Sequence, residues 1–330
     1  MYCNVSHDIL SVSGAMYTIW REKLQHLKAT KACTMTLDRR SFLAASAAGL
    51  AGLSARRVPA ADKLDEFSFV IVSDTHLGRQ DALAAERQWR SAVAEINAAP
   101  GDFVLHLGDV VDSAREPQYP IYAEIRKELA KPIHEVPGNH DSDELFKKHI
   151  RAPIDTSFDH GGVRFVLFGN AHRDSHLGFI TPDQISWLDE QCRDAAAKDL
   201  RIVFCCHVPI HTNMHPDRGW YVKPDDGQTA FYELVGRHAE RILACLHGHF
   251  HNGIRGWRDR AKLVEVLCPS VCYNQDRKLE VHIKTGIAKG FFVEELRPGY
   301  VLATLGKGRL IMRYKPLGEN PNGEYAADWM

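Results

Sequence analysis

The chain lacks any bias of charge. Its 330 residues carry 41 lysines and arginines against 42 aspartates and glutamates, a formal net charge of −1. That balance offers no electrostatic case for a nucleic-acid polymer or an anionic membrane as partner. Long apolar runs are also missing. Residues 42–55, about 14 small and weakly apolar positions, are too short for a hydrocarbon core of roughly 30 Å, and nothing after them reads as a membrane span. Without internal repeats or long low-complexity tracts, repeat and disordered architectures have no support. Cysteine is sparse after residue 60: Cys192, Cys205, Cys206, Cys245, Cys268 and Cys272. No spacing among them resembles a zinc knuckle. Four lie in or beside apolar runs, where the residue behaves as a small buried hydrophobe. Cys268 and Cys272 are the pair to watch for a disulfide if the chain is exported.

The length suits one large α/β domain or two small ones, and 25% charged with 45% hydrophobic residues is ordinary globular composition. Asp38-Arg39-Arg40-Ser41-Phe42-Leu43 opens the mild Ala- and Gly-rich stretch, which closes at Val58-Pro59-Ala60. Paired arginines before such a stretch, and small residues at its end, resemble a twin-arginine export signal. An amphipathic or anchoring N-terminal helix is the competing reading. No cysteine follows to carry a lipid anchor. Met35-Thr36-Leu37 is a natural start, which leaves residues 1–34 as a misassigned or structureless lead. The expected organisation is a leader over 1–61, one domain over 62–316 and a loose tail over 317–330, in a periplasmic or secreted protein.

What dominates the chain is five short apolar runs, each ending in metal-binding residue types. Residues 67–72 run into Asp74-Thr75-His76, and 103–107 into Gly108-Asp109. Residues 133–136 lead to Gly138-Asn139-His140-Asp141, 202–206 to His207, and 242–246 to His247-Gly248-His249-Phe250-His251. Runs of this length and composition read as buried strands. Adjacent strand ends in an α/β sheet converge on one crevice, so repetition at five ends carries weight that a single polar residue would not.

Between the runs, Ala85, Trp89, Val93 and Ile96 form one stripe of a helix over about 81–98, stopped at Pro100-Gly101. The next strand follows at once, giving a right-handed βαβ crossover. Tyr122, Ile125 and Leu129 mark a second helix. Gly161-Gly162 introduces a strand over 163–168. Thr181-Pro182-Asp183-Gln184 is a capping box with proline at its first position, and Ile185, Leu188 and Cys192 face inward. Residues 211–227 read as a long irregular loop, followed by a helix near 229–238. Runs at 263–267, 290–294, 300–305 and 310–314 read as consecutive antiparallel strands.

Asp74 and His76, like His249 and His251, stand two apart, so on an extended backbone each pair faces one way. With Asp109, Asn139 and His207 they supply seven O and N ligands, which suit two divalent ions such as Mn, Fe or Zn better than a thiolate site does. Two carboxylates crowd together only with a cation to offset their repulsion. His106 and His134 read as core residues. His172, His176, His211, His215, Arg79 and Arg173 are candidates for substrate contact, and Trp220 and Tyr221 either stack on substrate or pack their loop.

Asp74-x-His76, Gly108-Asp109-x-x-Asp112, Gly138-Asn139-His140-Asp141, His207-x-Pro209 and Gly248-His249-x-His251 together resemble the calcineurin-like metallophosphoesterases. The resemblance runs in order over about residues 67–270, and Cys268-Pro269-Ser270 is also familiar in form. It implies an α/β fold, an αββα sandwich of two mixed sheets flanked by helices, with a dinuclear site at the strand ends. By the same resemblance Asp74, His76 and His251 hold one metal, Asn139, His207 and His249 the other, and Asp109 bridges them. A hydroxide between the ions would attack phosphorus in a small-molecule phosphate mono- or diester. His140 becomes the proton donor to the leaving group or a transition-state stabiliser. Asp141 would orient His140 or a neighbouring ligand, or cap its loop. Purple acid phosphatases of the superfamily carry a tyrosine three residues after the bridging aspartate. Asp112 stands there instead, which speaks against a coloured ferric site. The bacterial cyclic-nucleotide phosphodiesterase branch is the nearest in look. The alternatives are a phosphoprotein or pyrophosphate-type hydrolase on the same site and a catalytically silent metal-bound scaffold. A scaffold should lack a ligand or His140, and this chain has them all.

Overall fold

Strand β2, Phe67–Val72, is apolar throughout because both its faces are buried. Phe67, Phe69 and Ile71 join one core while Val70 and Val72 join another. Strand β7, Arg201–Cys205, divides in the same way, Val203 and Cys205 to one side and Ile202 and Phe204 to the other. Continuous apolar strands of this kind belong to sheets covered on both faces. The computed structural model describes residues 34–36, 64–79, 82–211, 219–258, 260–274, 297–306 and 309–318. There two six-stranded mixed sheets share a central core, and helices cover their outer faces.

In the first sheet the order is β1 (Thr34–Thr36), β12, β11, β2, β3 and β4. Strands β2, β3 (Val104–His106) and β4 (Ile133–Glu135) are parallel, and β11 (Gly299–Gly306) and β12 (Arg309–Pro316) extend it as an antiparallel hairpin. Its outer core takes residues from α1 (Ala82–Ala98), α2 (Gln118–Arg126) and α3 (Asp143–His149). The second sheet runs β5-β6-β7-β8-β10-β9. Strands β6 (Val163–Leu167), β7, β8 (Ile242–His247) and β10 (Glu265–Leu267) are parallel, with β5 (Thr156–His160) and β9 (Arg255–Trp257) antiparallel at the edges. Helices α4 (Pro182–Ala197) and α5 (Gln228–His238) pack on it. Aromatic rings clamp the sheets together. Phe69 stacks on Phe103 at 5.1 Å, and Phe165 of the second sheet meets both edge-on at 5.4 and 5.1 Å.

The expected capping box is present: the Gln184 amide donates to Thr181 Oγ1 at 3.1 Å, and the Thr181 amide to Gln184 Oε1 at 3.1 Å. One expectation is corrected. The run at 263–267 does not begin an antiparallel series. Its last three residues, Glu265–Leu267, form β10 in the second sheet, parallel to β8 and antiparallel to β9, because a three-residue strand is placed by its neighbours and not by its own pattern. The expected strand over 290–294, the export stretch over 38–60 and most of the tail lie outside the described residues. Thr34–Thr36, within the segment read as a leader, forms β1 and pairs antiparallel with β12. Cys268 and Cys272 are both free thiols.

Candidate metal centre

Every ligand candidate follows the C-terminal end of a parallel strand: Asp74 and His76 after β2, Asp109 after β3, Asn139 after β4, His207 after β7, His249 and His251 after β8. None is more than 4% exposed, so the seven side chains face one another and not solvent. They fall into two groups that share Asp109. One contains Asp74, His76 and His251, the other His207 and His249. Asn139 joins the second, its Oδ1 3.2 Å from His207 Nε2.

The pairs two residues apart do not converge through strand alternation, as expected of an extended backbone. Asp74 (φ 56°), His76 (φ 42°), Asp109 (φ 54°), His249 (φ 81°) and His251 (φ 52°) all adopt left-handed backbone. The chain turns at each ligand in place of running straight past it. Such conformations cost about 1–3 kcal/mol each and persist where the surroundings enforce them. Here the turns are sewn to each other: the Asp74 amide donates to Gly108 O at 2.9 Å and the His76 amide to Asp109 O at 3.0 Å. The third turn must approach closely as well. A Cβ at Gly138 would run into the Asp109 carboxylate and backbone nitrogen, so glycine is required there.

The histidines show what the site is built to hold. The outer nitrogen of each meets an acceptor that has no hydrogen to give: His207 Nδ1 at Leu107 O (2.7 Å), His251 Nδ1 at Tyr273 O (3.0 Å), His249 Nε2 at His176 O (3.2 Å) and His76 Nδ1 at Asp112 Oδ1 (3.0 Å). Each outer nitrogen therefore carries the N–H, and each inner nitrogen of a neutral ring presents a lone pair. Yet inner nitrogens face each other at 3.1 Å in two places, His76 with His251 and His207 with His249. Facing lone pairs repel unless a cation or an added proton lies between them. The carboxylates make the same demand. His251 Nε2 is 2.9 Å from Asp74 Oδ1, and His207 Nε2 is 3.2 Å from Asp109 Oδ2. Burial opposes charge on His207, but Asp109 and Asp74 outweigh it and push its pKa up to about 9. Burial likewise opposes ionisation of Asp109, and the neighbouring imidazoles hold its carboxyl well below the usual range. Two divalent cations fit this donor set.

His140 sits at the mouth, its ring 33% exposed and its Nδ1 3.4 Å from Asp112 Oδ1. Burial lowers its pKa, but Asp112 and Asp109 together raise it above the ordinary imidazole value. Of the roles expected of Asp141, the structure shows the capping of its loop and not a contact with His140. The carboxylate that meets the His140 ring is Asp112, which also accepts from His76. Asp141 instead accepts from the amides of Val110 and Val111 at 3.1 Å and of Gly138 at 2.8 Å, tying the loop that bears Asp109 to the one that bears Asn139. Burial and the Asp109 charge push Asp141 up to about 7 against those three donors.

Of the remaining candidates, His106 is a core residue, its Nε2 3.1 Å from Thr75 Oγ1. His134 stacks on Phe158 at 3.7 Å and is not among the residues that line the pocket. His176 and Trp220 stack at 3.8 Å and line the pocket, as does Tyr273, which carries the Arg79 guanidinium 3.7 Å over its ring. His211 is buried against Trp257. Tyr221 carries Lys223 over its ring. Arg173 pairs with Asp174 on the surface, His172 leans on Phe179, and His215 lies outside the described residues. Sequence reasoning missed Asn170, whose Oδ1 accepts from the amides of His207 and Val208 and so sets the His207 turn. It also missed Ser270, whose hydroxyl donates to Asp74 O at 2.8 Å. Only the form of Cys268-Pro269-Ser270 hinted at that.

Residues 67–253 match the calcineurin-like phosphoesterase family, and the chain belongs to it. It is a hydrolase acting on phosphoester bonds, of a family that typically uses two divalent metals. Among its relatives, an Arcobacter nitrofigilis protein named Probable glycerophosphodiester phosphodiesterase is 24% identical over 55% of this chain and 71% of its own length. Proteins of Rhodopseudomonas palustris and Rhodococcus erythropolis, each named Probable cyclic nucleotide phosphodiesterase, are 28% and 27% identical. They match over 58% and 64% of this chain and 74% and 73% of their own lengths. A dimetal phosphatase from Danio rerio shares the fold with a TM-score of 0.55 at 14% identity, over 76% of this chain and 99% of its own.

Proposed function

We propose that the protein hydrolyses a small phosphodiester, with two divalent cations and His140 as proton donor. The observation that carries this reading is the convergence of four imidazole lone pairs on two buried carboxylates. Asp74, His76 and His251 would hold one cation, Asn139, His207 and His249 the other, with Asp109 between them. When bound, the cations supply Lewis acidity at the phosphoryl group and acidify the attacking water. The chain's own residues do the rest. Asp112 holds His140 and His76 in one orientation, so that the His140 ring faces the pocket with a proton to give to a leaving oxygen. The pocket over the ligands is small, about 50 Å³. In this reading the reacting phosphoryl group enters it, and the organic parts of an ester lie outward beside Trp220, His176 and Tyr273, which also line it. The printed names of the relatives, which are those of phosphodiesterases, support the diester reading.

The deciding experiment strips the protein of metal, restores Mn, Fe(II) or Zn, and compares bis-p-nitrophenyl phosphate with p-nitrophenyl phosphate. Metal-dependent cleavage of the diester is expected, and monoester cleavage alone would overturn the diester reading. The twin-arginine stretch at Arg39-Arg40 supports, as a further part of this proposal, a location outside the cytoplasm. N-terminal sequencing of the exported form should begin near Ala61. A chain that begins at or before Met35 would defeat that placement.

A further inference from the structure

The helix-facing side of the second sheet carries a polar cluster that the dinuclear centre does not use. Cys206 follows β7, and Cys245 and His247 stand two apart on β8, so the latter two face the same side of the sheet. Both thiols join the core beneath α4 and α5. The two sulfurs and a ring nitrogen of His247 lie within 4.8 Å of one another. His247 Nδ1 is 3.3 Å from Cys206 Sγ, and its Nε2 is 2.9 Å from Glu265 Oε2. Glu265 also accepts from the His211 amide at 3.0 Å and from the Tyr232 hydroxyl. Cys206, Cys245 and His247 are wholly buried and Glu265 is 1% exposed, so no substrate reaches them.

We infer that Cys206, Cys245 and His247 form a third, structural metal site that binds zinc. The donors supply three of the four positions of a tetrahedral zinc: two sulfurs and one imidazole, with the outer nitrogen of that imidazole fixed by a carboxylate. Around a tetrahedral zinc, with Zn–S about 2.3 Å and Zn–N about 2.0–2.1 Å, sulfur and nitrogen stand about 3.5 Å apart. The separation of Cys206 and His247 is within a few tenths of an ångström of that. Charge also balances. Two thiolates match one divalent ion, and three donors (from His247, His211 and Tyr232) meet the Glu265 carboxylate. Zinc there would bind β7 to β8 immediately behind His207 and His249, fixing the alignment of the two strand ends that carry imidazoles.

The test uses the full chain, with Co(II) in place of its resident ions. A dinuclear centre of oxygen and nitrogen ligands gives no sulfur-to-cobalt charge transfer, so near-ultraviolet absorption of that kind reports this site alone. The absorption is expected in the natural protein and in the H249A/H251A variant, where the dinuclear centre is dismantled. It should vanish in C206S/C245S, together with one ion per chain. X-ray absorption of the zinc form should find sulfur in the first coordination shell, and needs no variant to fold. Ions bound through oxygen and nitrogen only would overturn the inference. So would a cobalt band that survives C206S/C245S, or a Cys206–Cys245 disulfide in the isolated protein. Absence of metal-dependent phosphoesterase activity in the natural protein, with the sulfur signal intact, would count against the proposed function and leave this site standing.

Discussion

The two sheets contribute unlike halves of one centre. The first supplies oxygen, through Asp74, Asp109 and Asn139, with a single imidazole from His76. The second supplies only imidazole, through His207, His249 and His251. Negative charge therefore comes from one side and neutral nitrogen donors from the other, and neither sheet alone presents a complete set for either cation. Ligand geometry depends on how the sheets pack, and cations that bind both should in turn hold the sheets together, since a ligand that binds only the folded state stabilises it.

Asp109 belongs to both groups, so its loss should have the largest effect. Asp109→Asn is expected to lower both metal content and turnover by more than the roughly 10–100-fold typical of outer partners. Elemental analysis beside steady-state rates would check this, and a variant that keeps both ions would break the picture of a shared carboxylate. His140→Ala should separate chemistry from metal. Its ring completes neither ligand group, so metal content should stay while kcat falls by about 10²–10⁴-fold. Unchanged rates with a poor leaving group would remove His140 from proton donation.

Packing can be set against ligation next. Phe165 lies between the sheets, whereas Leu188 of α4 lies beneath a helix. Phe165→Ala should cost about 3–5 kcal/mol and Leu188→Ala about 2–5 kcal/mol. Only the first should also weaken metal affinity, measured by competition with a chelator. Equal affinities in the two variants would show that sheet packing does not govern the centre. Smaller still is Asp112→Asn, which keeps its shape but loses the charge facing His76 and His140. An effect of about 10–100-fold on rate or metal affinity is expected.

Much of this was legible in the sequence because its signals are local. An apolar run followed by Asp-x-His or Gly-Asn-His-Asp is read within ten residues, and the order of five such runs identifies the fold. The misses are non-local. Strand β5, TSFDH, has no buried residue pattern of its own and exists by pairing with β6. Helix α3 is seven residues with only Phe146 buried, too short to show a stripe. Asp141 and Asp112 could not be told apart as partners of His140 until the left-handed turns brought position 112 beside it. The Cys206, Cys245 and His247 cluster is spread over two strands, which no spacing rule detects.

The smallest expected effect lies at the far edge of the same sheet-to-sheet contact. His134 of β4, in the first sheet, stacks on Phe158 of β5, in the second, at 3.7 Å and 11° between planes. Burial, with Arg151 and Arg126 adding to it, pushes His134 down from its ordinary 6.5 to about 4. Between those values the unfolded chain binds a proton that the folded chain refuses, so stability rises with pH across that window and is lost as pH falls. The ring is partly exposed, and screening leaves about 1–2 kcal/mol of the shift as stability. His134→Phe keeps an aromatic stack and removes the titration. Urea unfolding of metal-free protein at pH 7.5 and 5 should show a smaller loss for the variant than for the natural chain, because every other histidine titrates alike in both. Equal losses would mean that His134 takes up its proton without disturbing the contact between the sheets.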